Sequence, residues 1–255
     1  MHIKEKKKLC PLDSKINMYT ELIEKSKLIT LEEETHTYSL FDSNIEFKSV
    51  TEFIHGFFKP FEEQKIAKKL TSSHPKYLGQ SPEELIEIWN KNRDRGTLVH
   101  KQIENFIIHK EKEEFDPKTI QGINFLKTKC FKDSNILIPE LIIYSKKLKL
   151  AGTIDLVIYN KLTNQISLID WKTNKKINQT SFRKSETGLK WPTKKLPDCN
   201  FIHYSLQLSM YQYILKNVYK VDVNGIFLIH LKENKFEIYK CQFMEDIITK
   251  MLLGN

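Results

Sequence analysis

The feature that most constrains the fold is a run of three β-rich segments in the second half of the chain. They cover residues 136–144, 148–160 and 165–172, and short polar turns join them. Turns of this length connect antiparallel neighbours. A helix at residues 201–219, strands at residues 225–231 and 236–243, and a terminal helix follow. This order of elements predicts an α/β chain with a central mixed sheet flanked by helices.

The first half of the chain predicts helices around one hairpin. Ser81, followed by Pro82 and Glu84, has the form of a capping box, and apolar residues then recur at helical spacing to about residue 109. The other predicted elements are a helix at residues 15–27, a hairpin within residues 31–48 with its loop at residues 42–44, a helix opening at Ser49, and helices at residues 60–70 and 116–130.

Three regions follow from this pattern. We expect a basic, solvated tail at residues 1–14, a hairpin with helices at residues 15–80, and a core at residues 81–255. Residues 15–80 are the N-terminal helical elaboration and are expected to form one compact unit with the core. No internal repeat or low-complexity linker separates them.

Charge and cysteine content narrow the class of protein. Lys and Arg number 41 against 32 Asp and Glu, and the net charge of +9 favours a polyanionic partner, although lysine-rich composition alone gives the same excess. No apolar run approaches the roughly 20 residues of a membrane span. The four cysteines are scattered, which favours a reducing, intracellular compartment such as the cytoplasm or nucleus, with an organelle left open. They are Cys10, Cys130, Cys199 and Cys241.

Two aspartates and a lysine are placed together by the predicted hairpin. If residues 161–164 form the turn, Asn160 pairs with Gln165, and Asp155 then lies opposite Asp170 with Cβ atoms roughly 5 Å apart. Because strand side chains alternate, Asp170 and Lys172 share a face. The neighbouring side chains are predicted to point together into a core on the other face. They are Ile154, Leu156, Ile169 and Trp171.

Opposed carboxylates beside an ammonium group have a clear chemical use. Like charges at this distance repel unless a cation lies between them, and carboxylate oxygens suit Mg²⁺ or Mn²⁺. A metal activates water and offsets phosphate charge, while a lysine orients that water. The pattern therefore predicts phosphodiester hydrolysis. The alternative is that Asp155 and Asp170 are ordinary solvated residues on an outer strand face.

Five short motifs follow one another between Gly96 and Tyr211. They are Gly96-Thr97-Leu98-Val99-His100, Glu140, Gly152-Thr153-Ile154-Asp155, Asp170-Trp171-Lys172-Thr173 and Gln207-Leu208-Ser209-Met210-Tyr211. Together they resemble the motifs of the PD-(D/E)XK nuclease superfamily, in its RecB-like branch, whereas any one alone would carry little weight. The resemblance implies a restriction-endonuclease-like core, with a central mixed sheet flanked by helices.

The resemblance also implies a metal site and a catalytic lysine. His100, Asp155, Asp170 and the backbone carbonyl of Trp171 would bind Mg²⁺ or Mn²⁺. Lys172 would be the catalytic lysine, acting with the two aspartates. No iron–sulfur cluster is expected, because Cys241 is the one cysteine after Tyr211.

Other motif residues have weaker assignments. Glu140 would assist catalysis, through water or a second metal, although an exposed strand glutamate explains it almost as well. Gln207 would orient the active-site motif or contact DNA, with Tyr211 beside it on the same helical face. A capping and packing pair is the alternative for Gln207 and Tyr211. A structural histidine is the alternative for His100.

Several further features point to DNA as the partner. His36-Thr37-Tyr38 and Ser49-Val50-Thr51 resemble the N-terminal segment of nucleases similar to the mitochondrial genome maintenance exonuclease and of related large-DNA-virus and phage proteins. Stacking on a base is expected from Trp191 or Phe182, and a solvated, anchored loop is the alternative. The predicted nucleic-acid-binding residues are Tyr211, Thr173, Lys175, Lys176, Arg95 and Trp191. Further lysines that could follow phosphates are Lys172, Lys184, Lys190, Lys194 and Lys195.

The function predicted from the sequence is a metal-dependent deoxyribonuclease of DNA repair or replication. An exonuclease acting on single-stranded or frayed DNA ends is favoured. The alternatives are a structure-specific endonuclease and a catalytically silent DNA-binding subunit with the same fold, and RNA stays open as a substrate. DNA is the one partner predicted, with no membrane and no assigned protein partner.

Overall fold

The computed structural model describes residues 20–110, 114–183 and 185–254. The predicted basic tail at residues 1–14, the start of the predicted helix at residues 15–27, and Lys184 lie outside this part of the chain. Residues 20–26 form a helix, here α1. The described chain is α/β, with a mixed sheet flanked by helices.

The N-terminal elements form a small hairpin and a series of helices. Their bounds are β1 Ile29–Glu32, β2 Thr37–Leu40, β3 Lys48–Ser49, α2 Val50–His55, α3 Glu63–Ser73, α4 Pro82–His109 and α5 Pro117–Phe125. The capping box predicted for α4 is confirmed, because Ser81 and Glu84 exchange side-chain and backbone hydrogen bonds. Asp116 caps α5 through the Lys118 backbone N–H, as its position before a proline suggests.

The later elements build the central sheet. Their bounds are β4 Asn135–Ser145, β5 Leu150–Asn160, β6 Gln165–Lys172, α6 Asn200–Ile214, β7 Gly225–Leu231, β8 Phe236–Cys241 and α7 Glu245–Leu253. Strands β4, β5 and β6 pair antiparallel in chain order, as predicted. Strand β7 pairs parallel with β6 after the α6 crossover, and β8 closes the sheet antiparallel to β7. The short strand β3 pairs parallel with the start of β5, a pairing that was not predicted.

Two N-terminal predictions were wrong in detail. The hairpin turns between Glu32 and Thr37, where His36 has a φ of 52°, and not at residues 42–44. The pairing predicted across residues 42–44 is reduced to a single bridge between Tyr38 and Phe47, and β2 pairs with β1 instead. The helix predicted from Pro60 begins at Glu63.

Two apolar layers cover the two faces of the sheet. One layer contains buried residues of α2, α6 and α7, and the other contains buried residues of α4 and α5. The N-terminal hairpin adds a third cluster, in which Tyr38 and Leu40 pack against Tyr144 and Ala151 of the sheet. None of the described helices is long and apolar enough to cross a membrane.

The side-chain alternation of β4 and β5 changes phase at one point. Ile138 and Leu141 pack in the same layer although they are three residues apart, and Ile154 and Val157 do likewise. The prediction that Ile154 points with Leu156, Ile169 and Trp171 was therefore wrong: Ile154 lies in the α6 layer and the other three in the α4 layer. On both strands the side chains switch faces at Glu140 and Asp155, so the alternation of every second residue is interrupted there.

Candidate active site

The strand pair β5 and β6 opens beside the two aspartates. Pairing follows the predicted register from Asn160 opposite Gln165 to Leu156 opposite Ile169 and ends there. At the next position Oδ2 of Asp155 accepts the backbone N–H of Trp171 at 2.7 Å. A carboxylate thus replaces a strand partner, which brings the Asp155 side chain into the opening between the strands.

Glu140 marks the same opening on the neighbouring strand β4. Its neighbours pair with β5, Pro139 with Leu156 and Leu141 with Ile154. Glu140 itself has a φ of 48°, in the left-handed region that costs a residue other than glycine roughly 1–3 kcal/mol. This conformation turns β4 over and places the Glu140 carboxylate near that of Asp155. Such strain is typical of functional sites.

Helix α4 brings a histidine to the opening through a close contact at Gly96. A Cβ atom at Gly96 would lie 2.9 Å from Oγ1 of Thr173, so a glycine lets the helix approach the end of β6. One turn later, His100 Nε2 lies 3.1 Å from the Trp171 carbonyl oxygen. Its Nδ1 lies 3.5 Å from Asp155 Oδ2. The glycine four residues before the histidine therefore allows the close packing that places His100 in the site.

The structure groups three side chains that could share a metal ion. One donor atom each from His100, Glu140 and Asp155 lies within 4.8 Å of the others. The Trp171 carbonyl adjoins this group through His100. Asp170, predicted as a ligand, does not belong to the group, and its role as a ligand stays a prediction. Glu140, which was predicted to assist catalysis, is one of the three side chains that could bind the metal.

Asp170 and Lys172 form a buried ion pair. Lys172 Nζ lies 2.7 Å from Asp170 Oδ2, and the two side chains are 16% and 3% exposed. The prediction that they share a strand face is confirmed by this contact. The Lys172 ammonium also lies over the ring of Tyr204 on α6, 4.3 Å from its centroid. The lysine is therefore fixed between a carboxylate and an aromatic face.

Burial perturbs the protonation of every group in the site. It raises the pKa of Glu140 to about 9, with repulsion from Asp155 and then Glu104 adding to the effect. It raises the pKa values of Asp155 and Asp170 to about 6, against the opposing charge of Lys172. It lowers the pKa of His100 to about 4, so the imidazole is neutral at pH 7 and able to bind a metal.

The charge on Lys172 is preserved despite its burial. Burial acts to lower the pKa of its ammonium, but the carboxylates of Asp170 and Asp155 outweigh that effect and leave the pKa above its usual value. Lys172 is therefore a cation at neutral pH, aimed at a site whose other charges are negative.

Gln207 and Tyr211 support the site from α6. Gln207 Nε2 donates to the Tyr211 hydroxyl at 3.0 Å. A Cβ atom at Gly152 would lie 2.5 Å from Cε1 of Tyr211, so the ring fills the space that this glycine leaves on β5. Tyr211 is 3% exposed, which favours the packing alternative, and its role in nucleic-acid binding stays a prediction.

Arg95 and Thr173 were also predicted to bind nucleic acid, and the structure engages both within the protein. Arg95 donates to Asp116 at 2.6 and 2.9 Å and to Glu233 at 2.8 and 2.9 Å. A guanidinium with two carboxylate partners is already neutralised, which favours a structural role over phosphate binding. The Thr173 carbonyl accepts Lys118 Nζ at 2.6 Å, and its side chain packs on Gly96.

The connection after Lys172 keeps several predicted contacts exposed. Lys175 and Lys176 are exposed, Trp191 is 57% exposed and Phe182 is 95% exposed. Lys190, Lys194 and Lys195 are exposed as well. These residues are free to meet a partner, and their role in DNA binding stays a prediction.

Three residues near the site were given no role in it from the sequence, although one of them, Tyr38, belongs to the segment His36-Thr37-Tyr38 that carries a resemblance. Glu104 lies one turn after His100 and pairs with Lys101 at 2.9 Å, and its charge acts on Glu140. The spacing of four residues from His100 was a signal that could have found it. Tyr38 donates to or accepts from Thr153 at 3.1 Å, and Tyr204 lies beneath Lys172. Only the tertiary fold brings these two tyrosines to the site.

Comparison with known proteins adds little to this geometry. No protein-family model matches the chain, and no curated protein matches it. Among solved structures, one described as the crystal structure of SSO0001 is similar, at 15% identity over 93% of this chain and 84% of that chain, with a TM-score of 0.40. A likeness of this size carries no argument about function.

Proposed function

We propose that this protein is a Mg²⁺- or Mn²⁺-dependent deoxyribonuclease with a PD-(D/E)XK core, acting as an exonuclease on single-stranded or frayed DNA ends. One observation carries the proposal. The donor atoms of His100, Glu140 and Asp155 lie within 4.8 Å of one another, directly beside the buried Asp170–Lys172 ion pair. A possible cation site and a possible catalytic lysine therefore lie in a single opening of the sheet.

The donor set fits a divalent cation. Two carboxylates and a neutral imidazole are ligands that Mn²⁺ accepts, and Mg²⁺ is held by carboxylates together with water and phosphate oxygens. Burial raises the pKa values of Glu140 and Asp155, so the ionised forms of these carboxyl groups lack a sufficient positive partner in the metal-free protein. When bound, a cation lowers the pKa of its water and offsets charge on the scissile phosphate.

The protein's own residues supply the other requirements of phosphodiester hydrolysis. His100 is neutral and is held against the Trp171 carbonyl, so its ring has a fixed orientation. Lys172 stays charged and donates hydrogen bonds, which suits the orientation of an attacking water and the developing charge on a phosphate oxygen. Asp170 holds Lys172 in place.

A polyanionic substrate fits the surface around this opening. The chain carries a net charge of +9. Lys175 and Lys176 follow Lys172 directly and are exposed, and Phe182 and Trp191 expose aromatic surface further along the same connection. Lysines follow a phosphate backbone, and aromatic rings stack on unpaired bases, so single-stranded DNA is the substrate that these features favour.

The test is a cleavage time course on end-labelled linear DNA, circular single-stranded DNA and RNA, with Mg²⁺, Mn²⁺ or EDTA. Asp155→Asn and Lys172→Met should each reduce the rate at least a hundredfold, the usual loss when an acid–base or charge-stabilising group is removed. Asp246→Asn and Lys250→Met are the matched controls, because these residues form an exposed ion pair on α7. Both controls should cut at the wild-type rate.

The substrates separate the proposal from its alternatives. An exonuclease leaves circular single-stranded DNA intact, whereas cutting of the circle indicates an endonuclease. Metal-independent DNA binding without cleavage of any substrate indicates a silent binding subunit, and preferential cutting of RNA overturns the choice of DNA. Equal loss in the α7 controls would show that the variants act through stability.

A further inference from the structure

The sheet-facing side of α6 carries a residue outside the predicted glutamine–tyrosine motif. Tyr204 precedes Gln207 by three positions and Tyr211 by seven, so the three side chains lie along one face of the helix. Gln207 and Tyr211 support β5, through their mutual hydrogen bond and the packing of Tyr211 on Gly152. Tyr204 instead meets β6, where its ring lies beneath the Lys172 ammonium.

The Lys172 ammonium has few ways to be held in this position. It forms an ion pair with Asp170, in which Nζ lies 2.7 Å from Oδ2. The ring centroid of Tyr204 lies 4.3 Å from Nζ, within the range of a cation–π interaction. Such an interaction strengthens when the cation is desolvated, and the Lys172 side chain is 16% exposed.

We infer that Tyr204 is a positioning residue for Lys172: its ring face and the Asp170 carboxylate together hold the ammonium in one orientation toward the Asp155 side of the site. The contact is a property of the folded chain, and its consequence for catalysis rests on the proposed nuclease function. A long lysine side chain has many rotamers. A second restraint besides Asp170 therefore leaves fewer conformations that compete with the reactive one.

The ring, and not the hydroxyl group, carries this role. The face of the Tyr204 ring meets Lys172, with 4.3 Å between the ring centroid and Nζ. Tyr204→Phe should therefore keep the wild-type rate within about threefold. Tyr204→Leu keeps apolar bulk but removes the π face, and kcat should fall about tenfold with KM unchanged. Tyr213→Leu is the matched control, because Tyr213 is a half-buried tyrosine on the same helix away from Lys172.

A second measurement tests the contact without relying on activity. Protons above an aromatic face are shifted upfield, so the terminal CH₂ group of Lys172 should give a shifted signal in NMR spectra of lysine-labelled, metal-free protein. Lys172→Met identifies the signal by removing it. The shift should persist in Tyr204→Phe and Tyr213→Leu and should be lost in Tyr204→Leu.

The NMR signal tests the contact between Tyr204 and Lys172, and the kinetics test its role in catalysis. An unshifted Lys172 signal in the wild type overturns the contact, whatever the enzyme does. A Tyr204→Leu variant that loses the shift but keeps full kcat overturns the positioning role, as does a Tyr204→Phe variant that is as slow as Tyr204→Leu. If the wild type cuts no substrate, the nuclease proposal fails, and the shifted signal alone decides whether Tyr204 holds Lys172. If Tyr204→Leu does not fold, Tyr204→Phe and the wild-type signal still decide.

Discussion

At the scale of single residues, the site is built from charges that the metal-free protein accommodates poorly. Glu140 has a left-handed φ, and its carboxylate is buried near those of Asp155 and Glu104. A fold under selection for stability alone would place an uncharged residue here. The cost is consistent with a cation that offsets these charges, and it leads to two predictions.

The first prediction concerns the stability of the metal-free protein. The unfolded chain loses the Glu140 proton near pH 4, whereas the folded protein keeps it to about pH 9, so stability falls as pH rises between these values. Glu140→Gln should therefore raise the free energy of unfolding at pH 8 by roughly 1 kcal/mol or more, with little effect at pH 4. Urea unfolding in EDTA measures it. Glu24→Gln, at an exposed glutamate paired with Lys27, should leave stability unchanged.

The second prediction concerns the pH dependence of metal binding. A ligand carboxyl must lose its proton before it binds a cation, and burial raises the pKa of Glu140 to about 9 and that of Asp155 to about 6. Mn²⁺ affinity should therefore rise steadily from pH 6 to pH 9. Calorimetric titration in buffers of different ionisation enthalpy should detect proton release on binding, and a pH-independent affinity would contradict this ligand assignment.

At the scale of secondary-structure elements, close packing at two glycines holds the helices against the sheet. Gly96 lets α4 approach Thr173 and so brings His100 to the opening. Gly152 makes room for the Tyr211 ring of α6. The functional side chains lie on different elements, and their geometry therefore depends on both approaches.

Gly96→Ala should lower metal affinity without a matching loss of stability. Alanine favours a helix by about 1 kcal/mol over glycine, but its Cβ atom would lie 2.9 Å from Thr173 Oγ1. We expect a shift of α4 that lowers Mn²⁺ affinity several-fold, while thermal stability changes little. Thr173→Ala in the same chain removes the opposing oxygen and should restore affinity. Independent, additive effects of the two substitutions would argue against the contact.

Gly152→Ala should act in the opposite way, through stability. The added Cβ atom would lie 2.5 Å from the Tyr211 ring, a contact that the buried ring cannot relieve without moving. We expect a loss of about 1–3 kcal/mol in the free energy of unfolding, the usual cost of overpacking. Chemical denaturation measures it, and a smaller side chain in the double variant Gly152→Ala with Tyr211→Leu should recover part of the loss.

At the scale of the whole molecule, the proposed binding of DNA should depend on charge. A net charge of +9 and the exposed lysines after β6 predict binding that weakens steeply with salt. Lys175→Gln and Lys176→Gln should each lower the slope of log affinity against log salt by about one, with no change in the metal affinity of the site. Fluorescence anisotropy on single-stranded DNA measures the slope. An unchanged slope would place the DNA elsewhere on the surface.

Local rules were sufficient for part of this architecture. The short turn at residues 161–164 fixed the pairing of Asn160 with Gln165, and the strand period placed Asp170 with Lys172. The phase change at Glu140 could not be predicted, because a left-handed φ at a glutamate follows no local propensity. The parallel pairing of β3 and the contact of Tyr204 with Lys172 depend on tertiary packing, which local sequence patterns do not predict.

The central claim is that His100, Glu140 and Asp155 hold one divalent cation, and Mn²⁺ titration of the metal-free protein tests it most directly. Calorimetry at pH 8 should show one saturable Mn²⁺ site per chain in the wild type and in the exposed control Asp246→Asn. The affinity should fall at least tenfold in Asp155→Asn and in Glu140→Gln. Absence of a saturable site, or equal affinity in all four proteins, would contradict the claim.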